Sequence, residues 1–426
     1  MYQFRLDDRH VHRSHFHSLR VQCVFALVSA IALPLGLLVA LRSESVIQLP
    51  STYTTLWWAG LASLLTLFAL RQIGGYFGLV LSKWILPVYA SSVGLLGCIP
   101  IFLRLPYSTV LLALCIVSSL VSFYIHALLM ARARRAVCFF VPVGRGADFE
   151  TGGQLRMIAL DSPVLPRIKK AILVADMHAP LGPEWERLLT EAALKGHPVY
   201  HVTQLREALT GKVQFDHLSE NSFGALVPML AYKKVKRVID LVSALVALPL
   251  LFPLLVCIVL AVKFDSPGPV IFRQRRVGDG GRLFEIYKFR TMNVVENGED
   301  VKASVTVEDD GRITRLGRFL RRTRLDELPQ VLNIIKGQMS WIGPRPEAVG
   351  LSNRYAIEIP NYRYRHLVRP GITGWAQVHQ GHVTSVDDVG EKLCYDFYYV
   401  KNMSLWLDVV ITLRTLKVLV TGFGAR

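Results

Sequence analysis

Four long apolar runs occupy the first 135 residues of the chain, and they restrict its fold more than any other feature. None of them contains an acidic residue, and all but the shorter second run reach the length of about 20 residues that a helix needs to cross a bilayer. Lysine or arginine lies before the first run, between the second and third, and after the fourth, which places both ends of this segment in the cytoplasm. We predict a four-helix transmembrane bundle over residues 1–135, with helices at Val21–Leu41, Leu56–Leu70, Trp84–Leu103 and Tyr107–Met130.

The composition indicates a membrane protein with anionic partners. Of the 426 residues, 52% are hydrophobic, and the formal net charge is +17 at pH 7. Excess positive charge beside apolar spans suits an anionic leaflet and anionic substrates, and we predict no nucleic-acid partner. The apolar runs hold no acidic group that could relay protons, which favours an anchor over a transporter. The six cysteines show no C-x-x-C spacing, so we predict neither a zinc site nor disulfides.

Residues 136–231 have the composition of a globular module. The predicted strands alternate with one predicted helix, which indicates a small α/β module with a Rossmann-like plan on the cytoplasmic side. The strands are Val137–Val143, Met157–Leu160, Ala171–Ala175 and Val199–Val202, and the helix is Glu184–Lys195. Gly144-Arg145-Gly146 follows the first strand but lacks a third glycine, so we interpret it as a tight turn and not as a phosphate-binding loop. We assign the module to regulation or dimerisation, which makes a homodimer one predicted assembly.

A fifth apolar segment, Val238–Val262, follows four basic residues at 233–237. The segment is long enough to span a bilayer, but a fifth crossing would place every later motif outside the cell. Pro249 and Pro253 lie within it, and a proline inside a helix removes a backbone hydrogen bond and bends or ends the helix. We predict a re-entrant helix over residues 238–262, with Pro249 and Pro253 as structural residues at the membrane. An ordinary fifth span is the alternative.

The stretch Gly311–Glu347 sets two adjacent carboxylates, Asp326 and Glu327, among several arginines. Most such acid pairs are solvated surface groups. Here Pro329 follows the pair and disturbs the helix, and Arg345 lies between two prolines that restrict the direction of its guanidinium group. Guanidinium groups held in fixed directions suit bidentate contacts with phosphate oxygens. We therefore predict Asp326 and Glu327 as catalytic residues and Arg345 as a phosphate-binding residue.

Further cations lie on a predicted hairpin and on a stiff turn. The hairpin consists of Val270–Arg276 and Arg282–Lys288 around a Gly-Asp-Gly-Gly turn. Strand alternation would place Lys288 and Arg290 on the same face, open to the site. Arg369 begins an Arg-Pro-Gly turn. We predict Lys288, Arg290 and Arg369 as phosphate-binding residues.

Four motifs in this half of the chain resemble those of the bacterial sugar transferases, the monotopic phosphoglycosyl transferases. In chain order they are Tyr287–Met292 (YKFRTM), Asp326–Gln330 (DELPQ), Gly343–Pro346 (GPRP) and Arg369–Gly374 (RPGITG). The resemblance covers about Lys233–Val420, and it implies a re-entrant helix that anchors a mainly α catalytic domain with a β-hairpin over residues 232–426. Pro253 falls at the family's expected proline, whereas Phe252 departs from the serine that commonly precedes it. In general plan, the N-terminal half resembles the large-subfamily members that initiate capsule and exopolysaccharide assembly.

The chemistry of a nucleotide diphosphate sugar fits these residues. Its phosphates are strongly anionic, so a carboxylate attacks them only if cations first neutralise the charge. We predict Asp326 as the nucleophile, which gives an aspartyl-phosphosugar and releases a nucleoside monophosphate. Mg²⁺ or Mn²⁺ is the predicted cofactor, with Asp326 and Glu327 as its candidate ligands. Whether Glu327 holds the metal ion or acts on the proton of the acceptor stays open.

The resemblance implies that the sugar phosphate passes from a uridine nucleotide to undecaprenyl phosphate, as the first membrane step of polysaccharide synthesis. It also implies a bacterial inner membrane protein with a cytoplasmic catalytic domain. Two alternatives are a membrane-bound, metal-dependent nucleotide-sugar hydrolase and a non-catalytic membrane scaffold. A hydrolase would need a positioned water and no lipid acceptor, and a scaffold would leave the carboxylate pair and Arg345 without a role. The sequence does not indicate which sugar is transferred.

Overall fold

The computed structural model describes residues 18–42, 49–73, 82–133, 137–144, 156–166, 171–213, 230–293, 311–380 and 386–421. The chain forms two compact units, Met1–Gly211 and Lys212–Arg426. The basic residues before residue 18, and Arg145 and Gly146 of the predicted tight turn, lie outside the described residues. The three-part division at 1–135, 136–231 and 232–426 stays a prediction.

Five helices in the described ranges are long and apolar enough to cross a membrane. Four of them belong to the first unit, and their segments are α1 (Leu19–Leu27) with α2 (Leu33–Arg42), α3 (Pro50–Ile73), α4 (Ser82–Phe102) and α5 (Thr109–Ala133). A π-helical turn at Val28–Ala32 joins α1 to α2 beside Pro34, which has no backbone N–H to donate. The prediction of four apolar helices in this part of the chain is confirmed.

Small and hydroxyl-bearing side chains line the contacts among these helices. Ala59 and Ser63 of α3 are buried, and Ser63 Oγ lies 3.2 Å from Ser119 Oγ of α5. Large apolar side chains such as Trp57 face outward. Small residues let helices approach closely, and paired hydroxyls avoid the cost of an unsatisfied polar group in apolar surroundings. This pattern is typical of helices that pack together within a bilayer.

The described residues between 137 and 211 contain a four-stranded parallel sheet and two helices, so the prediction of a small α/β module is confirmed. The strand order is β2-β1-β3-β4. The strands are β1 (Val137–Phe140), β2 (Arg156–Ala159), β3 (Ile172–Ala175) and β4 (Val199–His201), and the helices are α6 (Pro183–Leu194) and α7 (Val202–Thr210). β3 is buried along its whole length, with Leu173 packed in one apolar cluster and Val174 in another. Burial on both faces explains why this strand is entirely apolar.

The second unit holds a long apolar helix, two small two-stranded sheets and several short helices. The elements are α8 (Leu230–Asp265), β5 (Ile271–Val277), β6 (Leu283–Phe289), α9 (Arg315–Thr323), α10 (Val331–Ile335), β7 (Ser340–Ile342), α11 (Val349–Glu358), β8 (Gly371–Thr373), α12 (Gln377–Gln380), α13 (Val386–Asn402) and α14 (Leu405–Thr421). β5 and β6 form an antiparallel hairpin, as predicted. β7 and β8 pair in parallel.

Glycine permits a close backbone crossing beside β7 and β8. A Cβ atom added to Gly371 would lie 2.1 Å from the backbone nitrogen of Gly343, and one added to Gly374 would lie 2.2 Å from the carbonyl oxygen of Gly343. Any larger residue would force the two chain segments apart. The crossing holds the Gly-Pro-Arg-Pro segment directly against the segment that follows Arg369.

The long helix α8 packs against the core of the second unit from near its start to its end. Near its start, Arg237 Nη1 donates to the Ile334 carbonyl oxygen at 2.6 Å, and near its middle Ala244 joins an apolar cluster with Phe284 of the hairpin. Near its end, Ile258 and Val262 pack with Phe289. The helix continues through Pro249 and Pro253, so neither proline ends it. Its outward side is strongly apolar and exposed along most of its length.

Arg290 connects the hairpin to the end of α8 through side-chain hydrogen bonds. Its guanidinium group donates to the carbonyl oxygens of Ser266 and Pro269 and to Ser266 Oγ, and the side chain is buried. Both residues follow Asp265, the last residue of α8, and the same guanidinium group also lies 3.4 Å from the carbonyl oxygen of Val262, one of the last four carbonyls that the helix leaves unpaired. The structure therefore directs Arg290 toward α8 and not toward the carboxylate pair.

We expect Arg290→Gln to lower the free energy of unfolding by about 3 kcal/mol, because buried carbonyl groups lose a charged donor. Thermal unfolding of the purified protein in detergent measures the effect. Arg275→Gln, which changes an exposed arginine of β5, is the matched control and should leave the unfolding midpoint unchanged. An unchanged midpoint in Arg290→Gln, combined with weaker donor binding, would instead support the phosphate-binding role.

Candidate active site

The carboxylate pair lies in a short 3₁₀ turn, Leu325–Gln330, immediately after α9. Arg324 ends α9 in a left-handed conformation with φ of 59°, and Pro329 lies within the turn. Asp326 and Glu327 are 7% and 5% exposed, so the pair is not a solvated surface feature. The change of direction at Arg324 turns both carboxylates into the domain.

Glu327 is surrounded by cations. Its Oε1 atom lies 2.9 Å from Lys288 Nζ, 3.0 Å from Arg345 Nη2 and 3.8 Å from Arg324 Nη1. Burial by itself would raise the pKa of Glu327, but the charges of Lys288, Arg345 and Arg324 together hold that pKa well below its usual range. Glu327 is therefore ionised at neutral pH. It binds two cations that the sequence predicted to bind phosphate.

Asp326 directly precedes Glu327 in the sequence but lies in a different environment. Its Oδ1 atom is buried and has no hydrogen-bond partner among the described residues. Burial raises the pKa of Asp326, and the neighbouring charge of Glu327 adds to that shift against the opposing effect of Lys288. The two adjacent carboxylates thus have pKa values displaced in opposite directions, an arrangement that is typical of groups with separate chemical roles.

Lys288 is positioned by the hairpin and by α10. It is the penultimate residue of β6, and the neighbouring Tyr287 backbone N–H donates to Asn333 Oδ1 of α10 at 3.1 Å. Asn333 in turn donates from Nδ2 to the Glu285 carbonyl oxygen at 2.6 Å. Burial lowers the pKa of Lys288, and the charge of Glu327 opposes this effect. The strand and helix therefore hold the lysine against the carboxylate.

Arg345 is held by residues that the sequence analysis did not identify. Arg365 is 3% exposed, and its Nη2 atom donates to the Arg345 carbonyl oxygen at 2.8 Å and pairs with Asp396 Oδ2 at 2.8 Å. Arg276 Nη1 donates to the Pro346 carbonyl oxygen, also at 2.8 Å. The only sequence signal for Arg365 was its place in a segment rich in arginine and tyrosine, and nothing indicated Asp396 as its partner.

Arg369 lies at a separate cavity. Its Nε atom donates to the Gly337 carbonyl oxygen at 3.0 Å, and together with Arg282 and Lys336 it lines a cavity of about 520 Å³ at the start of β6. Lys288 lies near the other end of the same strand. The structure thus brings Lys288 and Arg345 to the carboxylate pair, whereas it places Arg369 at a second basic surface and Arg290 at the end of α8.

Comparison with known proteins identifies the family. The bacterial sugar transferase family matches residues 231–422. The UDP-N-acetylgalactosamine-undecaprenyl-phosphate N-acetylgalactosaminephosphotransferase of Aeromonas hydrophila is 42% identical over 373 residues, which are 87% of this chain and 88% of that protein. The UDP-glucose:undecaprenyl-phosphate glucose-1-phosphate transferase of Caulobacter vibrioides is 44% identical over 204 residues, 47% of this chain and 76% of that protein.

A further relative matches a smaller share of its own length. The UDP-glucose:undecaprenyl-phosphate glucose-1-phosphate transferase of Escherichia coli K12 is 45% identical over 183 residues, 42% of this chain and 39% of that protein. The Aeromonas protein, in contrast, is similar along most of both chains. The chain therefore belongs to the bacterial sugar transferase family and is an enzyme, a phosphoglycosyl transferase.

Proposed function

We propose that the protein transfers a sugar 1-phosphate from a UDP-sugar to undecaprenyl phosphate through a covalent intermediate on Asp326. The observation that carries the proposal is the contrast between two buried carboxylates, one surrounded by cations and one with an unpartnered oxygen. The activities for which the relatives are named support the same pair of substrates. The Aeromonas relative acts on UDP-N-acetylgalactosamine, which makes that donor the first one to test.

Two displacement steps complete the proposed reaction. In the first step, a carboxylate oxygen of Asp326 attacks the phosphorus that carries the sugar, and the bond from that phosphorus to the bridging oxygen breaks. UMP leaves with the electron pair, and an aspartyl-phosphosugar remains. In the second step, a phosphate oxygen of the lipid attacks the same phosphorus. The bond to Asp326 breaks, and the carboxylate is regenerated together with undecaprenyl-diphosphate-sugar.

Lys288 and Arg345 would neutralise the donor in the first step. Both cations contact Glu327 Oε1, so Glu327 sets their position before the donor arrives. Positioned cations stabilise charge on a transferring phosphoryl group without further reorganisation. Because burial raises the pKa of Asp326, the nucleophilic carboxylate is protonated at a higher pH than an ordinary aspartate, and the first step should slow as the pH falls through that raised pKa. Glu327 stays ionised over the same pH range because its pKa is lowered.

The donor set at the carboxylate pair fits Mg²⁺ or Mn²⁺. Both ions prefer carboxylate and phosphate oxygens, and the buried Oδ1 atom of Asp326 is an oxygen without a hydrogen-bond partner in the described part of the chain. Asp326 is thus the stronger candidate ligand, and Glu327 is the weaker one because three cations already face its Oε1 atom. Such an ion would supply charge neutralisation to the diphosphate.

The packing of α8 supports a re-entrant course. Near its start, Arg237 Nη1 donates to the Ile334 carbonyl oxygen at 2.6 Å, and directly after its end Ser266 Oγ accepts from Arg290. A helix that crossed the bilayer would carry its two ends to opposite sides, so one compact domain could not hold both. We therefore propose that residues 238–262 enter and leave the membrane on one side, the cytoplasmic side of the inner membrane.

A role of the α/β module in dimerisation stays a prediction.

The covalent step can be tested by trapping. Purified protein incubated with sugar-labelled donor and no lipid should retain phosphosugar on Asp326, and Asp326→Asn should retain none. Asp279→Asn is the matched control, because Asp279 pairs with Lys233 at the hairpin turn and should not affect the adduct. Full turnover without any adduct would contradict the covalent step, and release of free sugar phosphate in the absence of lipid would indicate the hydrolase.

The charge balance at Glu327 can be tested by Glu327→Gln. We expect the free energy of unfolding to fall by about 2 kcal/mol, because the partly buried Lys288 and Arg345 lose the buried carboxylate that both of them contact. Donor turnover should fall as well. Glu358→Gln, which removes an exposed carboxylate paired with Arg354, is the control and should leave the unfolding midpoint unchanged. Equal stability of Glu327→Gln and the parent protein would contradict the proposed balance.

The membrane course can be tested by cysteine labelling in a cysteine-free background. Lys234 and Asp265 flank the apolar part of α8 and are both exposed, whereas Ser266 is buried. Cysteines at 234 and 265 should both react with an impermeant thiol reagent in inverted vesicles, and neither should react in intact cells. Labelling of only one of the two positions in each preparation would show that the segment spans the membrane.

A further inference from the structure

Three potential metal ligands meet at one edge of the parallel sheet in the first unit. Asp176 directly follows β3, His178 comes two residues later, and His201 is the last residue of β4. β3 and β4 are adjacent and parallel, so their carboxyl ends share an edge. The strand order also reverses between β1 and β3. In open α/β sheets, ligands bind at this edge and next to such a reversal.

The candidate ligand atoms of the three side chains lie close enough to one another to bind a single ion. His178 Nδ1 is 2.7 Å from His201 Nε2, and Asp176 Oδ1 is 3.4 Å from His201 Nε2 and 4.0 Å from His178 Nδ1. Asp176 and His201 are buried, whereas the side chain of His178 is 67% exposed. Gly144, four residues after the end of β1, lies against the other side of Asp176, since a Cβ atom there would be 2.8 Å from Asp176 Oδ2.

We propose that Asp176, His178 and His201 bind a divalent transition-metal ion. Two imidazole nitrogens and one carboxylate oxygen suit Zn²⁺, Fe²⁺ or Co²⁺, whereas Mg²⁺ and Ca²⁺ prefer oxygen ligands alone. Three protein ligands leave a further coordination position for water or a small ligand, on the exposed side near His178. Cysteine spacing predicts no zinc site, and the two histidines are 23 residues apart in the chain, so no local motif marks this cluster.

Metal binding at His201 would change one local hydrogen bond. His201 Nδ1 accepts the backbone N–H of Thr203 at 3.0 Å and so caps α7. A neutral imidazole that coordinates through Nε2 carries its proton on Nδ1, so it no longer accepts that bond. His201 therefore cannot bind the metal ion through Nε2 and accept the Thr203 N–H that caps α7 at the same time. The separation between His178 Nδ1 and His201 Nε2 must also widen, which the exposed side chain of His178 permits.

The test uses the full-length protein in detergent, purified with a histidine-free affinity tag and stripped with a chelator. Co²⁺ titration in excess Mg²⁺, which would occupy the carboxylate pair of the other unit, should give saturable visible absorption at one ion per chain, and Zn²⁺ should displace it. His178→Gln should weaken binding by at least about tenfold, and because this side chain is exposed the variant should still fold. His197→Gln, which changes another histidine of the same module, is the matched control and should bind like the parent protein.

Hydrogen exchange gives a second readout that is independent of activity. Exchange at the Thr203 amide should become faster when Zn²⁺ is added to the parent protein and should stay constant in His178→Gln. The proposal is overturned if the parent protein binds no Co²⁺, if His178→Gln binds as tightly as the parent protein, or if metal binding leaves Thr203 exchange unchanged. None of these outcomes depends on the proposed transfer reaction, which takes place in the other unit.

Discussion

The ion cluster at Glu327 is the interaction on which the second unit depends. A fully buried carboxylate is costly unless cations meet it, and here Lys288 and Arg345 contact the same oxygen. The cluster joins the hairpin, the turn after α9 and the Gly-Pro-Arg-Pro segment, which are distant in sequence. It also separates the behaviour of two neighbouring acids, because the cations lower the pKa of Glu327 while burial raises that of Asp326.

Further ion pairs beside this cluster hold the backbone of Arg345 in place. Arg365 holds the backbone of Arg345 and pairs with Asp396, while Glu347 pairs with Lys392 at 2.6 Å. These contacts connect the Gly-Pro-Arg-Pro segment to α13. Fixed backbone positions on both sides of Arg345 would reduce the reorganisation needed for its proposed contact with a donor phosphate. The two prolines that flank Arg345 restrict the backbone conformation of this segment, and the buried ion pairs hold the segment against α13.

Sequence patterns predicted the features that depend on local periodicity. The apolar helices, the α/β module and the hairpin follow from hydrophobic patterns over neighbouring residues, and the structure contains all three. Strand alternation placed Lys288 and Arg290 on one face, but β6 ends at Phe289, so the alternation does not extend to Arg290. Its guanidinium group contacts α8, a helix whose position no local pattern indicates. The partners of Arg365 and the cluster at Asp176 likewise depend on tertiary contacts between distant residues.

The attachment of α8 at both ends has a consequence for how the enzyme meets its lipid. Because the helix is packed on the core near Ala244 and again near Val262, it and the carboxylate pair move as one body. On the proposed re-entrant course, the height of Asp326 above the headgroups is then a fixed dimension of the protein and not a property of a flexible tether. A membrane with a thicker headgroup layer would therefore hold the acceptor phosphate at a different level relative to the nucleophile, and bilayer composition would influence the rate of the second displacement step.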